Sequence, residues 1–362
     1  MCYAVRSVGR VSTMKARLLF AVVIAMRMLA TSGAHAQALT GATVLQDPIS
    51  ARVTAMGFTG AADNSDPANV WFNPANAVGA TGVYATYSFW KVDPYFGGRD
   101  SDVQFDRWAA GGSFRIADGV DLGVGATLGE LDYSSGVVTD PQGNVLGEID
   151  PWERYFSLAI AVESRVSERV DVRAGIAGKR YWTDFGSELF TGMSGFEDPE
   201  GFAFDIGATA AVPTSFSGWM VTPALALAYV NFGGEIDVGD YYEPDPFPAR
   251  IHAGVSVRVD GPDVALGSAR VPLLSFVNNI DLTDRLHGES YSWGMGAELA
   301  VLQVLFLRAG MEDEQNESNE VDPAAWSIGI GVPVGPFRAR FDYARVRNLE
   351  EPRYDFVAAW EF

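Results

Sequence analysis

Past residue 82 the chain alternates. In Phe156 to Val166 the side chains of Phe156, Leu158, Ile160, Val162 and Val166 fall on one face of an extended backbone. Ser157, Ala159, Ala161, Glu163 and Arg165 fall on the other, because successive residues of a strand point to opposite sides. Val170, Val172, Ala174 and Ile176 alternate in the same way with Asp171, Arg173, Gly175 and Ala177. Further on, Phe337, Ala339, Phe341 and Tyr343 alternate with Arg338, Arg340 and Asp342. Period two, punctuated by Gly, Pro, Asp and Asn, predicts strands at 82–92, 105–117, 120–131, 152–166, 169–183, 201–212, 219–232, 248–259, 271–282, 289–302, 304–312, 324–332, 337–346 and 353–362. The chain reads as all-β, with about fourteen antiparallel strands.

A soluble sandwich would turn its charged faces outward, whereas a transmembrane β-barrel turns them into its lumen and gives the apolar faces to lipid. The connections separate these two readings. Gaps at 93–104, 132–151, 184–200, 233–247 and 313–323 are long and rich in Asp, Glu, Gly and Pro. Between them lie short turns, such as the hairpin pair Asp118-Gly119, Ser167-Glu168, Asp260 to Asp263 and Pro333 to Pro336. Long loops at one end and short turns at the other are the habit of membrane barrels. The lumen is then expected to be lined by Glu163, Arg165, Asp171, Arg173, Arg338, Arg340, Asp342 and Asp355. An arginine placed at Leu158 should be harmful and one at Ala159 milder. Aromatics near strand ends, among them Tyr84, Trp90, Trp108, Tyr155, Tyr181 and Trp326, are expected to form girdles at the membrane interface.

The two ends of the chain agree with this reading. Tyr354, Phe356, Ala358, Trp360 and Phe362 share one face of the final strand. That segment resembles the closing strand of bacterial outer-membrane barrels. The resemblance implies that Tyr354, Phe356, Trp360 and the terminal Phe362 form the signal read by the barrel-assembly machinery. At the front, Lys15 and Arg17 precede an apolar run, and Ala34-His35-Ala36 fits a small-x-small cleavage site. We expect a signal peptide over 1–36, started from Met1 or Met14, a plug segment over 37–80 and the barrel over 81–362. Removing 1–36 takes away five positive charges and no acid, moving the formal net charge from −20 to −25. So acidic a chain is a poor partner for nucleic acid. Cys2, the only cysteine, lies in the expected leader, so no disulfide framework is expected.

Residues 37–80 do not alternate. Ser50-Ala51-Arg52 leads to Ala55-Met56-Gly57, then to Gly60-Ala61-Ala62-Asp63, Asp66-Pro67 and Trp71-Phe72-Asn73-Pro74-Ala75. This ordered series resembles the N-terminal region of the PorV/PorQ family, which belongs with the FadL-type fatty-acid transporters. Phe58 stands where that family commonly repeats glycine, and Asn76-Ala77 where it has Gly-Leu. The resemblance implies a plug inside the barrel, with Arg52, Met56, Gly57, Asn73, Pro74 and Ala75 as its marked residues.

No catalytic constellation is present in the pattern. His35, His252 and His287 are dispersed without zinc-site spacing, and no nucleophile elbow or phosphate loop occurs. We expect no enzyme, no cofactor and no metal. The acidic stretch Glu312 to Asp322 lacks EF-hand spacing and reads as a solvated loop. The expected partners are outer-membrane lipid, the assembly machinery, and a hydrophobic small molecule or a secretion partner, in the outer membrane of a Gram-negative-type bacterium. Passage of hydrophobic or amphipathic molecules, a docking or shuttle role in type IX-like secretion, and a structural or receptor barrel remain open together.

Overall fold

The computed structural model describes residues 41–48, 50–79, 82–92, 103–140, 142–167, 169–186, 198–236, 244–287, 291–314, 324–347 and 351–362. The expected leader, with its cleavage point after Ala36, and most of the acidic stretch 312–322 lie outside these residues.

The wall is built from β1 (Gly82–Val92), β2 (Val103–Ala117), β3 (Val120–Asp132), β4 (Trp152–Ser167), β5 (Val170–Asp184), β6 (Glu200–Ala211) and β7 (Trp219–Gly233). It continues through β8 (Arg250–Asp260), β9 (Leu274–Arg285), β10 (Tyr291–Val301), β11 (Leu305–Glu314), β12 (Ala325–Val334), β13 (Phe337–Val346) and β14 (Arg353–Glu361). Each strand pairs antiparallel with its sequence neighbour, and β14 returns to β1, Glu361 opposite Gly82 and Arg353 opposite Trp90. Setting aside the short Thr214–Phe216 segment, which pairs only with the start of β7, this is a closed barrel of fourteen strands. The strand limits fall within three residues of those predicted by alternation.

One prediction is corrected. Asp260 to Asp263 is not a short turn, and no wall strand starts at 271. Asp263–Leu266 pairs with Ala269–Pro272 through Gly267 at φ 60°, making a hairpin beyond the wall, and β9 begins at Leu274. Val264 and Leu266 alternate with Asp263 and Ala265 as a wall strand does, and Val271 and Leu273 alternate in turn, so alternation without the phase shift between them did not set the hairpin apart from β9.

The two faces of the wall differ sharply. Leu158, Ile206, Leu225, Leu282 and Ile330 each expose about half or more of their surface, pointing outward. Arg173, Lys179, Asp205, Asp281, Arg308 and Asp342 are buried within.

Residues 41–79 fill the interior. Short elements replace strands here because capping residues start them. Ser50 accepts the amide of Val53 at the head of a helical turn, Ala51–Ala55. Asp66 and Asn73 cap the 3-10 turns Pro67–Trp71 and Pro74–Ala77, each followed by proline at the first helical position. Wall glycines let this backbone dock without side chains between. Gly57, at φ 66°, lies against the backbone of Met295 and Met311, while Gly296 and Gly310 face Met56 in return. Gly175 receives Pro74 and Ala75.

Candidate functional site

The junction of plug and wall is where most buried charge gathers. Arg52 sits on the helical turn, is 1 % exposed, and donates from Nε to Glu298 at 2.9 Å and from Nη2 to Asp63 at 2.9 Å. Glu298 also accepts from Arg308 at 2.5 Å, and Arg308 donates to Asp342 at 2.7 Å. Asp342 accepts from Arg340 at 2.6 Å, and Arg340 reaches back to Asp66 of the plug. Asp66 lies 3.8 Å from Arg52, closing the circuit. Plug and strands β10, β11 and β13 are thus joined by a ring of alternating charge. Each member has a counter-ion on either side, which is what makes several buried charges tolerable.

The plug's own titrating groups follow. Burial would drive the Arg52 guanidinium toward neutrality, but Glu298, Asp63 and Asp66 hold its pKa well above the ordinary value. Burial would raise the Asp66 carboxyl, and Arg340 and Arg52 instead pull it down to about 2.

Other contacts fix the plug along its length. Asp355 accepts from the Ser50 hydroxyl at 2.7 Å and the Arg52 amide at 3.1 Å. Arg353 holds Asp47 at 2.8 Å and stacks over Trp90, 4.0 Å from the ring centre. Asp281 accepts the amides of Gly60 and Ala61 at 2.7 and 2.8 Å. Asn73 donates to the Ala61 carbonyl at 2.9 Å and to Thr209 at 3.0 Å. A bulge in β7 places Asn231 at φ 55°, where it accepts from Lys179 at 2.5 Å and donates to the carbonyls of Pro248 and Leu45.

The marked residues of the plug, Arg52, Met56, Gly57, Asn73, Pro74 and Ala75, are all buried in this junction. Of the eight wall positions expected in the lumen, Arg340 and Asp355 meet the plug directly, and Asp342 is tied to it through Arg340. Arg173 lies 3.6 Å from Glu163, while Arg165 pairs with Asp171 near the short turn and Arg338 pairs with Glu361. Phe356, Trp360 and Phe362 point outward and are half or more exposed, and Tyr354 stacks on Phe341. Sequence reasoning missed Glu298 and Arg308. The signal was there, because Glu298 shares its face with Gly294 and Gly296 while Met295 and Leu299 face the other way.

The aromatic girdle needs correction. Trp108, Tyr291 and Trp326 are outward, but Trp90, Tyr155 and Tyr181 are buried and face inward. They share strand parity with the lumen positions. With Phe105, Leu131 and Phe247 they form an apolar cradle at the long-loop end, and Val44 and Leu45 of the plug occupy it. Ala159 is corrected also. It is 2 % exposed and packs with Ala77 and Val78, so an arginine there would strike the plug.

Among the described residues no group of three or more His, Cys, Asp and Glu is arranged to hold a metal ion. His252 is buried against Trp71 and Phe72, with Nδ1 2.9 Å from the Thr283 hydroxyl.

No family model and no curated protein matches the chain. Among solved structures it is similar to the toluene transporter TbuX of Ralstonia pickettii, with TM-score 0.48 and 11 % identity over 86 % of this chain and 98 % of that one. The Pseudomonas putida toluene transporter TodX gives 0.44 and 10 %, covering 85 % and 96 %. A Pseudomonas aeruginosa FadL homologue gives 0.44 and 11 %, covering 86 % and 98 %. The β domain of the Bordetella autotransporter BrkA gives 0.38 and 10 %, covering 78 % and 100 %. Barrels of unlike use stand side by side here, and the likeness is one of fold.

Proposed function

We propose that the chain is an outer-membrane barrel through which hydrophobic or amphipathic small molecules pass passively, along a route controlled by the plug. The observation that carries this is the apolar cradle within the lumen. Val44 and Leu45 of the plug fill it, and with the plug displaced Trp90, Phe105, Tyr155 and Phe247 would offer a hydrophobic molecule an apolar surface inside the wall. The continuous exposure of Leu, Ile, Val and Phe on the outer face supports residence in lipid, since a water-soluble chain rarely leaves so large an apolar surface open. Outer-membrane lipid and the barrel-assembly machinery are the partners this reading requires. The ordered series from Ser50 to Ala75 supports placement near the PorV/PorQ branch of FadL-like proteins.

The test is deletion of residues 41–79. A heat-modifiable barrel should still form in the membrane. Its permeability to small solutes should rise, or its uptake of a fluorescent fatty-acid analogue into liposomes should change. Unchanged permeability and uptake in an assembled barrel would refute control by the plug and leave the docking or structural barrel as the better reading.

A further inference from the structure

We propose that the short-turn mouth of the barrel carries a subsite for an organic monoanion, a carboxylate on a small apolar body. A cavity of about 300 Å³ opens there between the plug, the wall from β11 round to β2 with Arg258 of β8, and the hairpin 263–272. That volume suits a ligand on the order of ten non-hydrogen atoms.

Charge selects the class. Arg258, Arg270, Arg338 and Arg340 line the cavity against a single acid, Glu361. This is a local excess of cations in a chain with 46 acidic and 26 basic side chains. Three of the four are balanced. Arg258 pairs with Asp260 at 2.7 Å, Arg338 with Glu361 at 3.2 Å, and Arg340 with Asp342 at 2.6 Å. The Arg270 guanidinium has no ion pair among the described residues. Arg270 is exposed at the cavity's rim, so its guanidinium fork is free to meet a carboxylate, whose geometry it matches. Val357 and Ala359 offer apolar surface for the rest of the ligand.

The hairpin is held where Arg270 can serve. Arg338 donates from Nη2 to the Arg270 carbonyl at 3.3 Å, and Val271 is buried beneath. Ser268 at the tip lies beside Gly335, in the turn between β12 and β13. The hairpin that leaves β8 therefore reaches four strands round the rim and spans the mouth.

The subsite deepens the passage reading, as a station for amphipathic acids at the end opposite the loops. Its test is independent of flux. Calorimetry on the full chain in detergent would compare benzoate with benzyl alcohol, its neutral analogue, and with inorganic phosphate. Benzoate should bind the parent protein, and Arg270→Ala should weaken it by about tenfold or more. Arg270→Lys should recover part of the loss, and benzyl alcohol should bind all forms alike. Heat-modifiability on gels would certify each barrel as folded. Equal benzoate binding by the parent and Arg270→Ala, or none by either, would overturn the proposal. Phosphate competing as well as benzoate would overturn the assignment to an organic monoanion. Liposome uptake of a neutral hydrophobic probe, run in parallel, separates the cases. Lost benzoate binding with normal uptake supports the subsite, and normal binding without uptake removes the passage reading instead.

Discussion

At the residue scale, glycine positions decide how closely the plug and the wall approach. A Cβ on Gly57 would overlap the backbone of both β10 and β11, and the residue is held at φ 66°. Gly57→Ala should therefore cost at least the roughly 1–2 kcal/mol of a left-handed alanine, with the collision added. The apparent melting point by gel heat-modifiability would measure it. Phe58, where the resembling family commonly has glycine, also adopts positive φ, 54°. The motif was legible, but the conformation beneath it was not. Asp66 sets the acid limit of the plug. Its folded pKa is depressed to about 2, against an ordinary carboxylate value near 4. Its contribution is thus complete above about pH 4 and is lost as pH falls through about 2. The melting point should fall over that window, and Asp66→Asn should flatten the fall. An Asp66→Asn protein that keeps the full pH dependence would contradict this.

At the element scale, strands were easy to read because one physical rule, an apolar outer face alternating with a polar inner one, governs all fourteen. The hairpin 263–272 obeys the same rule without belonging to the wall, so it was absorbed into a neighbour. The ring of charge was legible only in pieces. Arg52, Arg340 and Asp342 could be picked out as inward or plug residues, but the pairs that join plug to wall, Arg52 with Glu298 and Arg340 with Asp66, depend on folding across more than two hundred positions. Glu298→Gln should leave Arg52 and Arg308 short of a partner and cost about 3–5 kcal/mol, seen as plug release by limited proteolysis before the wall melts. Leu158 and Ala159 give a paired test. Leu158→Arg should destabilise the barrel by about 2–4 kcal/mol near the bilayer midplane. Ala159→Arg should be comparably harmful in the intact chain and tolerated once residues 41–79 are deleted, since the groups it strikes are Ala77 and Val78. Rescue of Leu158→Arg by the same deletion would contradict the assignment of faces.

At the scale of the whole molecule, the seam between β14 and β1 has a bearing on the order of assembly. Both strands meet there, and the same β14 carries Asp355 and Arg353, which grip Ser50 and Asp47. Ser50 and Asp355 are 305 positions apart, so nothing local can bring them together early. Until β14 arrives, the wall is an open sheet and the plug lacks its hold at that side. Closing the ring and locking its contents are therefore one terminal event. A nascent barrel stalled before β14 would be open both along its flank and through its middle, and a time-resolved cross-link in the Ser50→Cys, Asp355→Cys double variant would report both closures with a single rate.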